Sequence, residues 1–218
     1  MKVTAAMRRY AAEIYRLQEE RPHVSLSDLA EPIDASLQAI SRMMGRLKEE
    51  GYIEHEPYRG VRLTKAGEEI ALPAIRRHRL VEVFLVRVMR YGWHEVHDVS
   101  DRFELGIDDT LEERIDLLAG HPTRCPHGEP IPTKDGKMPV LNDKSLVTVE
   151  LGKPYRLSRV RVHDPEKLEY LGDLGLTPGA TFSLLSIAPF NGPVRIQHGR
   201  QEVVLSHELA SALFVEPG

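Results

Sequence analysis

Residue types that bind first-row metals recur at helical spacing in two neighbouring stretches of this chain. In RRHRLVEVFL, His78 and Glu82 stand four apart; in HEVHDVSDRFEL, His97, Asp101 and Glu104 stand at i, i+4 and i+7. On an α-helix such spacings put side chains on one face. Imidazole with carboxylate suits Mn2+ or Fe2+, and the usual divalent affinity order leaves the choice of metal open. Taken alone, a His–Glu pair at i, i+4 is an ordinary solvated helix interaction. Two such clusters on consecutive helices form a site only if the helices pack together. Further donors lie downstream in CPHGEP, where Cys125, His127 and Glu129 follow one another closely. Cys125 reads either as a small buried hydrophobe or, as a thiolate, as a soft ligand added to the site.

Upstream of both clusters the pattern is helix, short helix, turn, helix, hairpin. Residues 4–20 carry Ala6, Tyr10, Ile14 and Leu17 at helical intervals. VSLSDLAEPI is predicted to form a short helix, N-capped by Ser27 and stopped by Pro32. SLQAISRMMGRLKEEGYI is a third helix, with Ser36 at its start, an apolar stripe of Ile40, Met43, Met44 and Leu47, and Gly51 where a C-terminal glycine belongs. YIEHEPYRGVRLT reads as two short strands joined by PYRG. This order is that of a winged helix-turn-helix, and its implied partner is double-stranded operator DNA. In the first half of the third helix, Ser36, Gln38, Ser41 and Arg42 are positioned for the major groove, where Gln favours adenine and Arg favours guanine. Ser36, Arg46 and the wing-tip residues Tyr58 and Arg59 suit phosphate contacts. A polar, solvated helix face is the bland alternative; the wing and the short preceding helix favour DNA.

From Lys65 a long helix runs towards Gly92, with Pro73 marking a kink, followed by shorter helices over Trp93–Leu105 and Asp108–Ala119. Residues 81–89, VEVFLVRVM, are more apolar than one amphipathic face requires, which implies burial against another helix or another subunit. Residues 120–145 read as a loop rich in Gly and Pro. From Leu146 the strand-type runs YRLSRVRV, ATFSLLSIAP, GPVRIQHG and EVVLS, interrupted by the one helix PEKLEYLGDLGL, suggest a small β-barrel. The expected fold is therefore α+β, divided as a DNA-reading domain (1–64), an all-α domain ending in a loop (65–145) and a β domain (146–218).

Composition narrows the function classes. Of the 218 residues, 41% are hydrophobic and 28% charged, which is ordinary for a globular protein and argues against long disorder. No apolar run approaches the roughly 18 residues of a membrane helix, and the N-terminus lacks a signal-peptide core, so a cytoplasmic protein is expected. The single cysteine excludes an internal disulfide framework. Net charge is −4, and the first 64 residues hold ten basic and ten acidic side chains. Without a basic domain, a DNA footprint must be local and carried by a few arginines.

The winged helix, RHRLVE in the long helix, the VHD segment, the CPHGEPIP loop and YRGVRLTKAG in the wing together resemble the DtxR/MntR family of metal-dependent transcriptional repressors. The resemblance spans essentially the whole chain and implies a homodimer through the middle helices, with an FeoA-like C-terminal barrel. It implies two metal sites. One would use His78, Glu82 and His97 with a ligand from the C-terminal domain, where HDPEKL places Asp164, and His163 and Glu166 beside it. The other would use Asp101 and Glu104, but Leu105 stands where the family has His, and Arg9 where it has Asp or Met. An arginine stays protonated and cannot ligate a cation. Either Glu13, one turn on, supplies the carboxylate, or Arg9 pairs with Asp101 and Glu104. The function implied is control of metal-uptake genes by a Mn2+- or Fe2+-dependent repressor. The alternatives are a non-haem metalloenzyme built on the His/carboxylate set, which would leave the winged helix unexplained, and a metal-independent DNA-binding protein, which would leave the ligand spacing to coincidence.

Overall fold

The computed structural model describes residues 3–218, apart from the side chain of Leu105. Its contacts form two compact units, one reaching His78 and including Pro132–Met138, the other comprising Arg79–Ile131 and Pro139–Gly218. The division falls inside a long helix, between His78 and Arg79.

In the first unit, α1 (Ala5–Gln18) starts at Thr4, whose hydroxyl accepts from the Met7 amide. The next segment turns before it becomes helical. α2 is only Ala30–Ile33, and its N-cap position, Leu29, has no side-chain bond. Ser27 therefore does not cap it. Ser25 does the local work instead: its hydroxyl accepts from the Asp28 amide while the Asp28 carboxylate accepts from the Ser25 amide. Pro32 sits inside α2, within the first turn, where its missing N–H has no intrahelical partner to lose. α3 (Leu37–Glu49) is N-capped by Ser36 and buries Ile40, Met44 and Leu47. These side chains pack with Ile14, Leu29, Ile53 and Val61 into one core. The hairpin of β1 (Ile53–Glu56) and β2 (Gly60–Leu63) forms the wing. β2 is also bridged to Val24 by two backbone bonds of 2.8 and 2.9 Å.

α4 (Lys65–Arg87) runs unbroken through Pro73, so the sequence signal for a kink does not end the helix. In the second unit its later turns pack with α5 (Val96–Phe103) and α6 (Asp109–Leu118) around Leu80, Val81, Val83, Leu85, Val96, Ile107 and Ile115. The C-terminal part is one antiparallel sheet in the order β3 (Lys144–Ser145), β8 (Leu213–Pro217), β4 (Pro154–Val160), β5 (Thr181–Ile187), β6 (Val194–His198), β7 (Gln201–Leu205). β3 and β7 are its two edges, so the sheet is not closed into the barrel expected from sequence. Leu157, Leu184, Ile196 and Leu205 from the sheet and Leu168 and Leu171 from α7 (Pro165–Asp173) make its core, against which Trp93 packs. A second helix, α8 (His207–Ser211), was not visible as a periodic pattern because it is little more than one turn. Among the described residues no helix is long and apolar enough to cross a membrane.

Gly60 has φ +116°, and a Cβ there would run into the Val24 carbonyl. Gly60→Ala should therefore strain the wing and cost about 1–3 kcal/mol, read as a fall in unfolding free energy by urea titration.

Candidate metal centre

α4 presents His78 and Glu82 one turn apart, and both are buried although neither is apolar. A buried carboxylate must be paired or hydrogen-bonded, because an isolated charge in a low-dielectric interior is costly. Glu82 is 3% exposed, and its Oε1 is approached by two imidazoles: Nδ1 of His97, on α5, at 3.4 Å and Nδ1 of His127 at 3.6 Å. Cys125 adds its Sγ 3.9 Å from the same nitrogen of His127. Donor atoms of Glu82, Cys125 and His127 all lie within 4.8 Å of one another. Four donors about 2.0–2.3 Å from a first-row ion stand roughly 3.3–3.8 Å apart at tetrahedral angles. The observed spacings are therefore those of a set able to close on one ion, with carboxylate oxygen, imidazole nitrogen and thiolate sulfur as donors.

The loop after α6 supplies two of these groups, and its backbone is fully organised. The Cys125 amide donates to the Glu129 carbonyl, the Gly128 amide to the Cys125 carbonyl and the Ile131 amide to the Thr123 carbonyl, each at 2.9 Å. His127 Nε2 lies 2.8 Å from the Trp93 carbonyl oxygen. A carbonyl only accepts, so Nε2 carries the hydrogen and the lone pair of the neutral ring is on Nδ1, which faces Glu82 and Cys125. This fixing of the ring through its far nitrogen is the usual support of a metal-ligating histidine.

Electrostatics agree with the geometry. Burial opposes charge on His127, but the Glu82 carboxylate and the Cys125 sulfur outweigh it and push its pKa up to about 11. Burial, and then Glu82, push the Cys125 thiol up. Without a cation the cluster holds protons, and a divalent ion must displace them.

The structure distributes the other expected ligands unevenly. Asp101 lies one turn beyond His97 on α5 and is half-buried. Glu104 begins a 3-10 turn, Glu104–Gly106, so the regular α spacing that linked it to His97 and Asp101 stops at Phe103. Leu105's side chain is outside the described residues. Arg9 is exposed on α1, and Glu13 is held by Arg16 at 2.9 Å. Asp164 is exposed and caps α7, its Oδ1 accepting from the Glu166 and Lys167 amides at 2.9 and 3.2 Å. From the same stretch it is His163 whose ring lies beside His97, centroids 4.5 Å apart. The convergence of Cys125 and His127 on Glu82, and the role of Trp93, were not derivable from spacing. The only sequence signal was the donor-rich CPHG itself.

On the DNA-reading unit, Ser36, Gln38, Ser41, Arg42 and Arg46 are all exposed on α3, and Tyr58 and Arg59 at the wing tip are exposed as well. Ser36 also spends its oxygen on the α3 cap. Leu37, beside it, is exposed as well, and an apolar side chain carries no hydrogen-bonding signal that would mark it in the sequence.

Three family models match in series: the iron-dependent repressor N-terminal DNA-binding domain over residues 2–61, its metal-binding and dimerisation domain over 64–133, and the FeoA domain over 144–217. The chain is 31% identical over 219 residues to the iron-dependent repressor IdeR of Mycobacterium tuberculosis (strain ATCC 25618 / H37Rv), covering 95% of each chain. It is 25% identical over 218 residues to the diphtheria toxin repressor of Corynebacterium diphtheriae, again covering 95% of each. Among solved structures, a manganese-dependent transcriptional repressor in complex with manganese matches with a TM-score of 0.91 at 33% identity, over 97% of this chain and 100% of that one. The manganese regulator SloR matches with a TM-score of 0.82 at 29% identity, over 99% and 100%. The chain belongs to the iron-dependent repressor family typified by the diphtheria toxin repressor: metal-dependent, DNA-binding transcriptional repressors, not enzymes.

Because His127 and Cys125 both hold their protons more tightly than usual, raising the pH from 6 to 8 should tighten metal binding, with net proton release on loading. Calorimetry in buffers of different ionisation enthalpy measures both; a pH-independent affinity would contradict the ligand assignment.

Proposed function

We propose that this chain is a homodimeric repressor whose operator affinity is set by Fe2+ or Mn2+ bound at Glu82, Cys125 and His127, with His97 beside them. The observation that carries the reading is the burial of these three unlike donors at ligating separations. A thiolate among the donors favours softer ions than an all-oxygen set would, which suits Fe2+ at least as well as Mn2+. When bound, the ion supplies a fixed double positive charge that ties α4 to the loop carrying Cys125 and His127. It can promote DNA binding only by binding the DNA-competent geometry better than the alternative.

The other parts support the reading. The exposed face of α3 offers Gln38, Ser41 and Arg42 to base edges, and Leu37 offers an apolar contact of the kind thymine methyl groups accept. Leu111, Leu117 and Leu118 on α6, with Val88 and Met89 after α4, are exposed apolar side chains in a region matched as a dimerisation domain. A second copy of the chain would cover them. Two copies would then read two half-sites about one helical turn apart.

Fluorescence anisotropy on the DNA upstream of the chain's own gene tests this. Fe2+ or Mn2+ should raise affinity for that DNA, and Cys125→Ser or His127→Ala should abolish the metal effect while leaving the metal-free baseline. Metal-blind binding by the wild type would refute the proposal. Arg42→Ala should lose discrimination at one base pair per half-site, by roughly 1–3 kcal/mol, measured on single-position operator variants; unchanged discrimination would exclude Arg42 from base reading.

A further inference from the structure

The loop that carries Cys125 and His127 is fastened to the sheet domain by a buried charge network that the metal centre itself does not need for charge balance. Arg159, on β4, donates from Nη1 to both oxygens of Glu129, at 3.2 and 3.3 Å, and from Nε and Nη2 to the two oxygens of Asp143, at 2.9 and 3.2 Å. Its guanidinium lies over the Phe214 ring, 4.4 Å from the centroid. Asp143 is almost wholly enclosed and also accepts from the Ser158 hydroxyl at 2.8 Å. Burial opposes the charge on Arg159, but Glu129 and Asp143 outweigh it and hold it firmly cationic.

Glu129 in turn reaches α4. Its Oε2 is 3.6 Å from Arg79, whose other nitrogen donates to the Pro130 carbonyl at 2.6 Å. Arg79 precedes Glu82 by three residues and so shares its helix face. Two further ties act on the ligand loop from β4. The Val160 amide donates to the His127 carbonyl at 2.8 Å, and Arg124 bonds the Gly128 carbonyl and the Ser158 hydroxyl at 3.0 and 2.9 Å. Gly128 itself has φ +87°, and a Cβ there would strike the Ser158 carbonyl, so loop and strand are in direct backbone contact. Every one of these ties surrounds His127 or Cys125 without using a ligand atom.

We propose that Arg159 is a positioning residue for the metal centre: clamped between Asp143 and Glu129, it makes the sheet domain hold Cys125 and His127 in ligating geometry. This rests on the reading of Glu82, Cys125 and His127 as the centre. A planar guanidinium can bridge two carboxylates at once, whereas a lysine ammonium supplies one point charge and loses the fork. Supports of this kind are typically worth about tenfold to hundredfold in metal affinity.

The test is a Co2+ titration of the full chain under a competing chelator, read by the thiolate-to-cobalt charge-transfer band. The wild type should show the band, and Cys125→Ser should lack it. Arg159→Lys and Glu129→Gln should weaken Co2+ binding at least tenfold while keeping the band's wavelength at saturation, because the donors are unchanged. Val203→Ala, in the core of the same sheet, controls for general loss of stability: its Tm should fall, yet its affinity should stay within twofold of wild type. Wild-type affinity in Arg159→Lys and Glu129→Gln would overturn the positioning role, as would equal weakening in Val203→Ala. A wild type without a Cys125-dependent band would instead overturn the metal-centre reading, and the positioning role with it.

Discussion

A carboxylate sealed inside a helix bundle has to be neutralised, and the rest of this site follows from how Glu82 meets that demand. Its Oε1 is shared by the Nδ1 atoms of His97 and His127, and Cys125 stands next to His127. Without a cation, the proton that His127 holds unusually tightly supplies the positive charge. A divalent cation held by these donors would supply positive charge in place of that proton. The Trp93 carbonyl, by claiming the far nitrogen of His127, leaves Nδ1 aimed at Glu82 and Cys125.

Around this hub lies a second set of buried charges. Arg79, Arg159 and Arg161 face Glu129, and Arg159 also faces Asp143. Buried ion pairs are poor sources of net stability, since desolvation consumes most of their attraction. Their directional demands are another matter. Removing either partner leaves a charge stranded, so each pair fixes the segments that carry it. Here those segments are α4, the loop that carries Cys125 and His127, and β4. The C-terminal domain contributes no atom to the Glu82–Cys125–His127 set, yet its β4 is bonded to the loop that carries Cys125 and His127.

Much of this was legible in sequence because it rests on local periodicity. The α3 stripe of Ile40, Met44 and Leu47, its Ser36 cap and the position of Gly51 follow from helical chemistry alone, and so does the placing of His78 and Glu82 on one helix. Local chemistry also accounts for two helix-start contacts. Asp164 followed by Pro165 is a helix-start pattern, and the carboxylate serves as that cap. Ser25 and Asp28 have the spacing of a reciprocal cap, which Ser27 lacks. What spacing could not reveal depends on the course of an irregular loop. Cys125 and His127 stand beside Glu82 in a loop where Gly128 adopts a positive φ against β4 and where Arg159 bonds both Glu129 and Asp143. The short α8 and the two-residue β3 lie below the length at which a period can show.

The central claim is that Cys125 is a ligand of the sensing metal. X-ray absorption at the iron or cobalt edge of the loaded full-length protein addresses it most directly. A sulfur scatterer at about 2.3 Å, accompanied by nitrogen and oxygen and absent from Cys125→Ser, is the predicted result. A shell of nitrogen and oxygen alone in the loaded wild type would contradict the account.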